Sequence, residues 1–341
     1  MREIRYTLIG LGNIGRNLLD IIIHRQAAIE ARYGLRFVLV GAADSRGAAI
    51  DPKGLDIAAI RDAKLAKGSV ADLPVAKPGM GPLEMMQAVE ADLFVDASPT
   101  NLTDGEPGMS CTRYALEVGQ HVVAACKGPL VLAFDDLTTK ARERGVSLLY
   151  SGTVAGGLPT VNIGVRDLAG SGVTRVEGIF NGTTNYILTR MEAEGLSYDQ
   201  ALVGAQEAGI AEADPTLDVD GWDAANKLVI IANSVLRRPT TLDDLAVTGI
   251  RDVTADDLRT ARAENKVIKP LAIAQWNGED YDLRVAPVPL DADHPLAHTG
   301  MWDMAVVYHT DYMGRISAII EEVGPVPTSA AVLRDMINAV G

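Results

Sequence analysis

Tyr6–Ile9 is apolar and β-prone. The glycines of GLGNIG then interrupt the run, and Asn13–Arg25 carries apolar residues at helical spacing (Ile14, Leu18, Ile21, Ile22). Strand, tight turn and helix follow from that pattern. Phe37–Ala43, Leu93–Ala97, His121–Ala125 and Ser147–Tyr150 read as further buried strands, with helices over Thr112–Glu117 and Asp135–Arg144 between them. Such alternation predicts an α/β fold of Rossmann type, a parallel sheet with helices on its faces. Gly47–Pro82 is polar and rich in Lys, Gly and Pro, and reads as an excursion from the sheet.

After Gly152 the pattern changes to that of a second, α+β domain. A strand over Val173–Phe180 meets the turn Asn181-Gly182-Thr183-Thr184, and helices follow over Tyr186–Ala193, Tyr198–Ala208 and Asp223–Leu236. Tyr281–Val285, Ala305–Tyr308 and Arg315–Ile320 read as strands, and Ser329–Val340 as a closing amphipathic helix. Two domains are also the natural expectation for 341 residues, because one core rarely keeps growing to that size.

Composition narrows the function classes. A formal charge of −14 argues against nucleic acid or an anionic membrane as partner, although a small-ligand site can be locally basic within it. Two cysteines, Cys111 and Cys126, cannot supply a disulfide framework and suggest a reducing compartment. No apolar run approaches the ~20 residues of a membrane helix, and no signal-peptide pattern opens the chain, so a cytoplasmic protein is expected. His294 and His298 are four apart, but Pro295 disturbs the helix that a metal pair would need, and they read as packing histidines.

Gly10, Gly12 and Gly15 form G-x-G-x-x-G between a strand and a helix. The first permits the turn, the second lets backbone approach a pyrophosphate, and the third lets helix pack on strand. The helix N-terminus offers free N–H groups to the phosphates. Alone the motif is weak. Opening the first strand–helix unit, it predicts a dinucleotide site in which Asn13 and Ile14 take part. At the end of the second strand, Asp44 would accept the hydroxyls of an adenosine ribose and favour NAD. Arg46, with Lys53 assisting, would pair with a 2′-phosphate and favour NADP. Asp44 follows Gly15 by 29 residues rather than the usual ~20, which predicts a long first helix or exit loop.

The richest stretch runs from Glu212 through Asp218 and Asp220 to Asp223 and Lys227. Asp220-Gly221 reads as a capped helix start, so Asp223 and Lys227 share one helix face at a spacing of four. Such a pair is either a surface ion pair or a lysine aimed at chemistry. The apolar run Leu228–Ile231 behind it and the carboxylates ahead favour chemistry, with Asp223 orienting Lys227 toward a hydroxyl. Glu212 and Asp218 would receive an ammonium group, and the N–H groups at Gly182, Thr183 and Thr184 a carboxylate. Lys127, just past the strand His121–Ala125, is a second basic candidate.

Taken together, GLGNIG, DASPTN (Asp96–Asn101), HVVAACKGPL (His121–Leu130), YSGTVAGGLP (Tyr150–Pro159), NGTTNYILTRM (Asn181–Met191) and the AEADP…GWDAANK run resemble the homoserine dehydrogenases. The resemblance covers most of the chain. It implies a homodimeric NAD- or NADP-dependent oxidoreductase that interconverts L-homoserine and L-aspartate 4-semialdehyde. The implied domains are a dinucleotide-binding domain over 1–140, a catalytic and dimerisation domain over 141–304, and a segment over 305–341 that packs back on the first. In the implied site Lys227 gives and takes the proton beside Asp223, and Glu212 and Asp218 bind substrate with Gly182, Thr183 and Tyr186 close by. Lys127 lies between nicotinamide and substrate, and Ser98 joins the cofactor-binding residues. The resemblance also implies a sodium ion held by backbone carbonyls of Val154, Gly156 and Leu158, with Ser151 adjoining.

The sequence departs from the family pattern at three places. Ser151 stands where many members carry glutamate, Trp302-Asp303 where Asn-Ala is more usual, and Glu322–Pro327 where a Gly-rich pattern is expected. The short C-terminus implies a form without a regulatory amino-acid-binding domain. Two other readings stay open: a dehydrogenase of the same fold acting on another hydroxy acid, and a non-catalytic NAD(P)-binding sensor.

Overall fold

Strand and helix alternate along the first half of the chain: β1 (Arg2–Ile9), α1 (Asn13–Tyr33), β2 (Leu35–Asp44), β3 (Gly47–Ile50), α2 (Ile57–Lys67), β4 (Ala76–Pro78), α3 (Pro82–Gln87), β5 (Leu93–Asp96), α4 (Gly108–Glu117), β6 (His121–Ala124), α5 (Gly128–Arg144) and β7 (Leu148–Leu149). This computed structural model describes residues 1–341 and divides into two units, Met1–Gly157 with Gly324–Gly341, and Leu158–Val323.

In the first unit the strand order is β4-β3-β2-β1-β5-β6-β7. β2, β1, β5, β6 and β7 are parallel, so the order reverses at β1 and β5, where a doubly wound sheet opens its ligand crevice. Gly47–Pro82 does not leave the sheet as expected. β3 and β4 pair antiparallel on its edge, and four-residue β3 is too short for its pattern to register. The 29-residue interval is explained by α1, which runs 21 residues until Gly34 turns left-handed (φ 67).

The second unit contains α6 (Thr160–Asn162), β8 (Val173–Ile179), α7 (Gly182–Glu194), α8 (Tyr198–Glu207), α9 (Thr216–Val219), α10 (Trp222–Ser234), β9 (Ala246–Val247), α11 (Ala255–Ala263), β10 (Lys266–Trp276), β11 (Tyr281–Asp291), β12 (Asp303–Thr310) and β13 (Arg315–Glu321). Its sheet runs β13-β12-β8-β10-β11-β9, antiparallel apart from β9 on β11. β10 escaped the sequence pattern because Leu271–Ala274 is continuously buried and does not alternate.

The last helix, α12 (Val326–Val340), returns to the first unit, whereas β12 and β13 pair in the second sheet. Val332, Leu333, Met336, Ala339 and Val340 of α12 share one core cluster with Leu18, Leu19 and Ile22 of α1. Ser329 Oγ donates to the Ile14 carbonyl at 2.9 Å. No helix is long and apolar enough to cross a membrane.

Met336 is fully buried in that cluster. Met336→Ala should cost about 2–4 kcal/mol of unfolding free energy, read from urea melts. A change below about 0.5 kcal/mol would mean that α12 is not part of the core.

Candidate active site

The glycine turn meets the requirements of a phosphate cradle. A Cβ on Gly10 (φ 83) would lie 2.2 Å from the Ala97 carbonyl oxygen, and one on Gly15 would lie 2.1 Å from that of Gly10. Both positions therefore exclude any side chain, and they draw the end of β1 against the end of β5. Gly12 is the opposite case. Nothing lies within 4 Å of its Cβ position, and it opens α1 with no side-chain cap, so backbone N–H groups are left for an incoming anion. Asn13 is exposed and accepts from Arg16 through Oδ1 (2.7 Å), while the Ile14 carbonyl belongs to Ser329. These residues fit a dinucleotide.

The expected reader of the adenosine ribose is occupied elsewhere. Asp44 is buried; Oδ1 accepts from Arg46 N (2.9 Å) and Ser69 Oγ (2.9 Å), and Oδ2 from Lys64 Nζ (3.0 Å) and Val70 N (3.1 Å). Four donors fill the four lone-pair positions of a carboxylate. Burial opposes its charge, but these donors outweigh it and hold the carboxyl below its usual range. Asp44 is thus an internal lock between β2 and the segment after α2, a correction to its reading as a ribose acceptor. Arg46 stays exposed at the carboxyl end of β2. Lys53 lies instead beside Glu3, Arg36 and Val38, around a cavity of about 540 Å³ at the amino-terminal half of β2. That is the wrong end of the strand for a ligand of the glycine turn, and its expected role is corrected. Ser98, just past β5, donates to Asp96 Oδ1 from both N (2.9 Å) and Oγ (2.6 Å). Lys127 is half-buried immediately before α5, beyond the carboxyl end of β6.

In the second unit five groups form one connected cluster. Asn181 caps α7, accepting from Thr184 N at 2.9 Å. Its Nδ2 donates to Asp218 Oδ1 (2.7 Å) and to Asp223 Oδ2 (2.9 Å). Lys227 Nζ donates to the same Asp223 oxygen and to the Phe180 carbonyl, each at 2.6 Å. The Lys227 and Asp223 side chains are only 12% and 16% exposed, which rejects the surface-pair reading. Burial first, and then the charge of Asp223, raise the Asp218 carboxyl above its usual range. Two carboxylates thus stand beside one ammonium.

α10 reaches this geometry by a different entry from the one expected. Gly221 at φ 89 precedes it without a side-chain cap, and Asp220 pairs with Arg251. The α7 side is pinned through Asn185 Nδ2, which donates to the Gly300 and Asp303 carbonyls (2.8 and 3.0 Å). Tyr186 packs on Trp302 with ring centroids 5.2 Å apart, so one of the sequence departures lies against a predicted site residue. Thr183 Oγ1 reaches the Ile210 carbonyl at 3.3 Å, and Gly182 has open space at its Cβ position. Glu212 does not join the cluster. It is exposed, and its backbone carbonyl accepts from Gln206. Sequence reasoning missed Asn181, although it begins the NGTTN run and an Asn before a helix is a recognisable cap.

In the YSGTVAGGLP turn, Ser151 adjoins the carbonyls implied for a sodium ion. Ser151 Oγ lies 2.6 Å from each Asp335 carboxylate oxygen and 2.9 Å from an Arg334 nitrogen, so this oxygen is already committed. Val154 and Gly156 are buried in the same turn, and Leu158 opens the second unit with its carbonyl accepting from Thr160 N (2.8 Å).

Comparison with known proteins gives the same outline. A family model described as homoserine dehydrogenase matches residues 159–337. Over 97% of both chains the protein is 35% identical to a homoserine dehydrogenase of Methanocaldococcus jannaschii. It is 36% identical to an NAD(+)-dependent homoserine dehydrogenase of Pseudomonas canavaninivorans, over 99% of this chain and 96% of that one. Among solved structures, a homoserine dehydrogenase from Thermoplasma acidophilum superposes with a TM-score of 0.84 at 30% identity, covering 99% of each chain. A hyperthermophilic archaeal homoserine dehydrogenase in complex with NADPH reaches 0.85 at 25% identity, over 99% of this chain and 98% of that one.

One buried group beside the cradle gives a pH test. Asp96 is fully buried and its Oδ2 has no hydrogen-bond partner, so burial, opposed by Ser98, pushes the carboxyl from 3.8 to about 6. The folded chain holds that proton more tightly than the unfolded one, so stability falls as pH rises from 3.8 through about 6. Asp96→Asn removes the loss. Its stability relative to the parent should grow by about 2–3 kcal/mol between roughly pH 4 and pH 7 in urea melts, and a flat difference contradicts the assignment.

Proposed function

The chain belongs to the homoserine dehydrogenase family, and from that membership we propose that Lys227 is the group that moves the proton in its reaction. That reaction interconverts L-homoserine and L-aspartate 4-semialdehyde with NAD or NADP. Bound nicotinamide supplies the hydride acceptor for oxidation and the donor for reduction.

Lys227 supports the role by its bonding. Two of its three N–H bonds are used by Asp223 Oδ2 and the Phe180 carbonyl, which aim the third at a substrate oxygen. In the direction of reduction the ammonium donates that proton to the forming alcohol and stabilises the negative charge that precedes it. In the direction of oxidation the neutral amine accepts the hydroxyl proton, with Asp223 Oδ2 holding the nitrogen in place.

The observation that carries the substrate class is the pair of carboxylates that Asn181 holds together beside Lys227. Asp223 pairs with Lys227, and Asn181 bridges it to Asp218 with a neutral amide. An α-ammonium group against Asp218 balances the cluster and favours its ionised form, which an unaminated hydroxy acid cannot do. The amino end of α7, at Gly182 and Thr183, takes the α-carboxylate. Tyr186 shapes the pocket through its contact with Trp302. Gly10, Gly12, Asn13, Ile14 and Gly15 hold the pyrophosphate, with Arg46, Ser98 and Lys127 as the polar groups around the dinucleotide. We also assign the enzyme to the cytoplasm as a homodimer. Exposed Ile319 on edge strand β13 and Tyr312 in the hairpin before it are the apolar surface for a second copy.

Lys227→Met should lower kcat by at least about a thousandfold in both directions while changing NAD(P)H affinity less than about threefold. A variant with near-normal turnover would remove Lys227 from the mechanism. Asn181→Ala should lower kcat and raise KM for homoserine together, because it releases both carboxylates and costs α7 its cap, worth about 1 kcal/mol in a thermal melt. An unchanged KM would separate Asn181 from substrate binding.

A further inference from the structure

Within the turn from Tyr150 to Gly157, two successive residues are left-handed, Ala155 (φ 58) and Gly156 (φ 56). Alanine adopts that conformation only where its surroundings impose it. Two consecutive residues of α12 bond to Ser151 and Gly157, on either side of that pair. Asp335, 2% exposed, accepts from Ser151 N at 2.8 Å and from its hydroxyl at 2.6 Å. Arg334 donates to the same hydroxyl oxygen at 2.9 Å and to the Gly157 carbonyl at 3.4 Å. Ser151 thus gives its proton to the carboxylate and accepts one from the guanidinium. Gly157 is where the chain leaves the first unit, and through Ser329 and Ile14 the same helix also reaches α1, the helix of the glycine turn.

We infer that Arg334 is the resident cation of this turn, bridging the Ser151 hydroxyl and the Gly157 carbonyl at its two ends, so that the turn is held without an alkali ion. The chemistry favours this. A hard cation needs several converging oxygens, and here one of the available oxygens already has both its proton and a lone pair committed. A guanidinium beside the Gly157 carbonyl repels a second cation, while Asp335 neutralises it locally. Its charge does not titrate, and its planar fork spans two acceptors on separate nitrogens, Nη1 to the Gly157 carbonyl and Nη2 to the Ser151 hydroxyl. Arg334 is therefore a positioning residue: it fixes the turn and, through α12, the start of α1.

The test compares wild type, Arg334→Ala and Arg334→Lys in sodium chloride and in tetramethylammonium chloride at equal ionic strength. Melting temperature and NAD(P)H affinity by fluorescence are the readouts. Only the affinity readout rests on the dinucleotide reading, and a wild type that fails to bind NAD(P)H would refute that reading while leaving the melting comparison valid. In wild type both readouts are expected to be the same in the two salts. Arg334→Ala should melt lower and bind NAD(P)H about tenfold more weakly, and millimolar methylguanidinium should restore most of both. Arg334→Lys, which carries the test if the alanine variant does not fold, should fall between them. A saturable, sodium-specific rise in the wild type's melting temperature or affinity overturns the inference. So does an alanine variant identical to wild type, or one whose losses methylguanidinium leaves untouched.

Discussion

The amide of Asn181 holds two jobs that cannot be separated. Its oxygen closes the first turn of α7, and its nitrogen donates to Asp218 and Asp223 at once. Because the helix fixes the amide and the amide fixes both carboxylates, the position of Lys227 follows from the start of α7 rather than from its own flexible stem. The lysine is then tied from a second direction by the Phe180 carbonyl, the residue immediately before the cap. A four-carbon side chain with several rotatable bonds would otherwise sample many positions, and the cost of ordering it is met by these two bonds. The same framework holds the carboxylates close together before any ligand arrives; burial, and then the charge of Asp223, raise Asp218 and prepare the cluster for a cation.

The first unit is organised by exclusion. At Gly10 and Gly15 backbone stands where a side chain would be, and the ends of β1 and β5 close together around that fact, leaving Gly12 facing open space. Behind them, charged groups that look functional in the sequence act as internal fasteners. Asp44 locks β2 to the segment following α2, and Asp335 with Arg334 locks the turn at the end of the unit to α12. The C-terminal helix therefore does more than cover apolar surface.

Most of this architecture was legible in the sequence, and the exceptions have physical causes. The alternating strands and helices, the glycine turn and the Asp223–Lys227 pair announce themselves because their spacing matches a backbone period. β10 did not, since a central strand buried on both faces lacks alternation. β3 and β4 were lost within a polar stretch too short-stranded to show a period. Asp44 and Lys53 were misread because sequence distance tells nothing of which end of a strand a loop returns to, nor of how many donors converge on a buried carboxylate. Asn181 was overlooked for the reverse reason: its signal as a helix cap was present, but its second role depends on carboxylates from Asp218 and Asp223, distant in sequence. The clamp of Ser151 by Asp335 and Arg334 joins residues still further apart in the chain, and no local pattern could foretell it.

The most direct measurement is a crystal structure with L-homoserine and an oxidised nicotinamide dinucleotide bound together. The account predicts the substrate hydroxyl about 2.6–3.2 Å from Lys227 Nζ, with Asp223 still holding the same nitrogen. A hydroxyl resting on another side chain, with the Lys227 ammonium more than about 5 Å away, would contradict it.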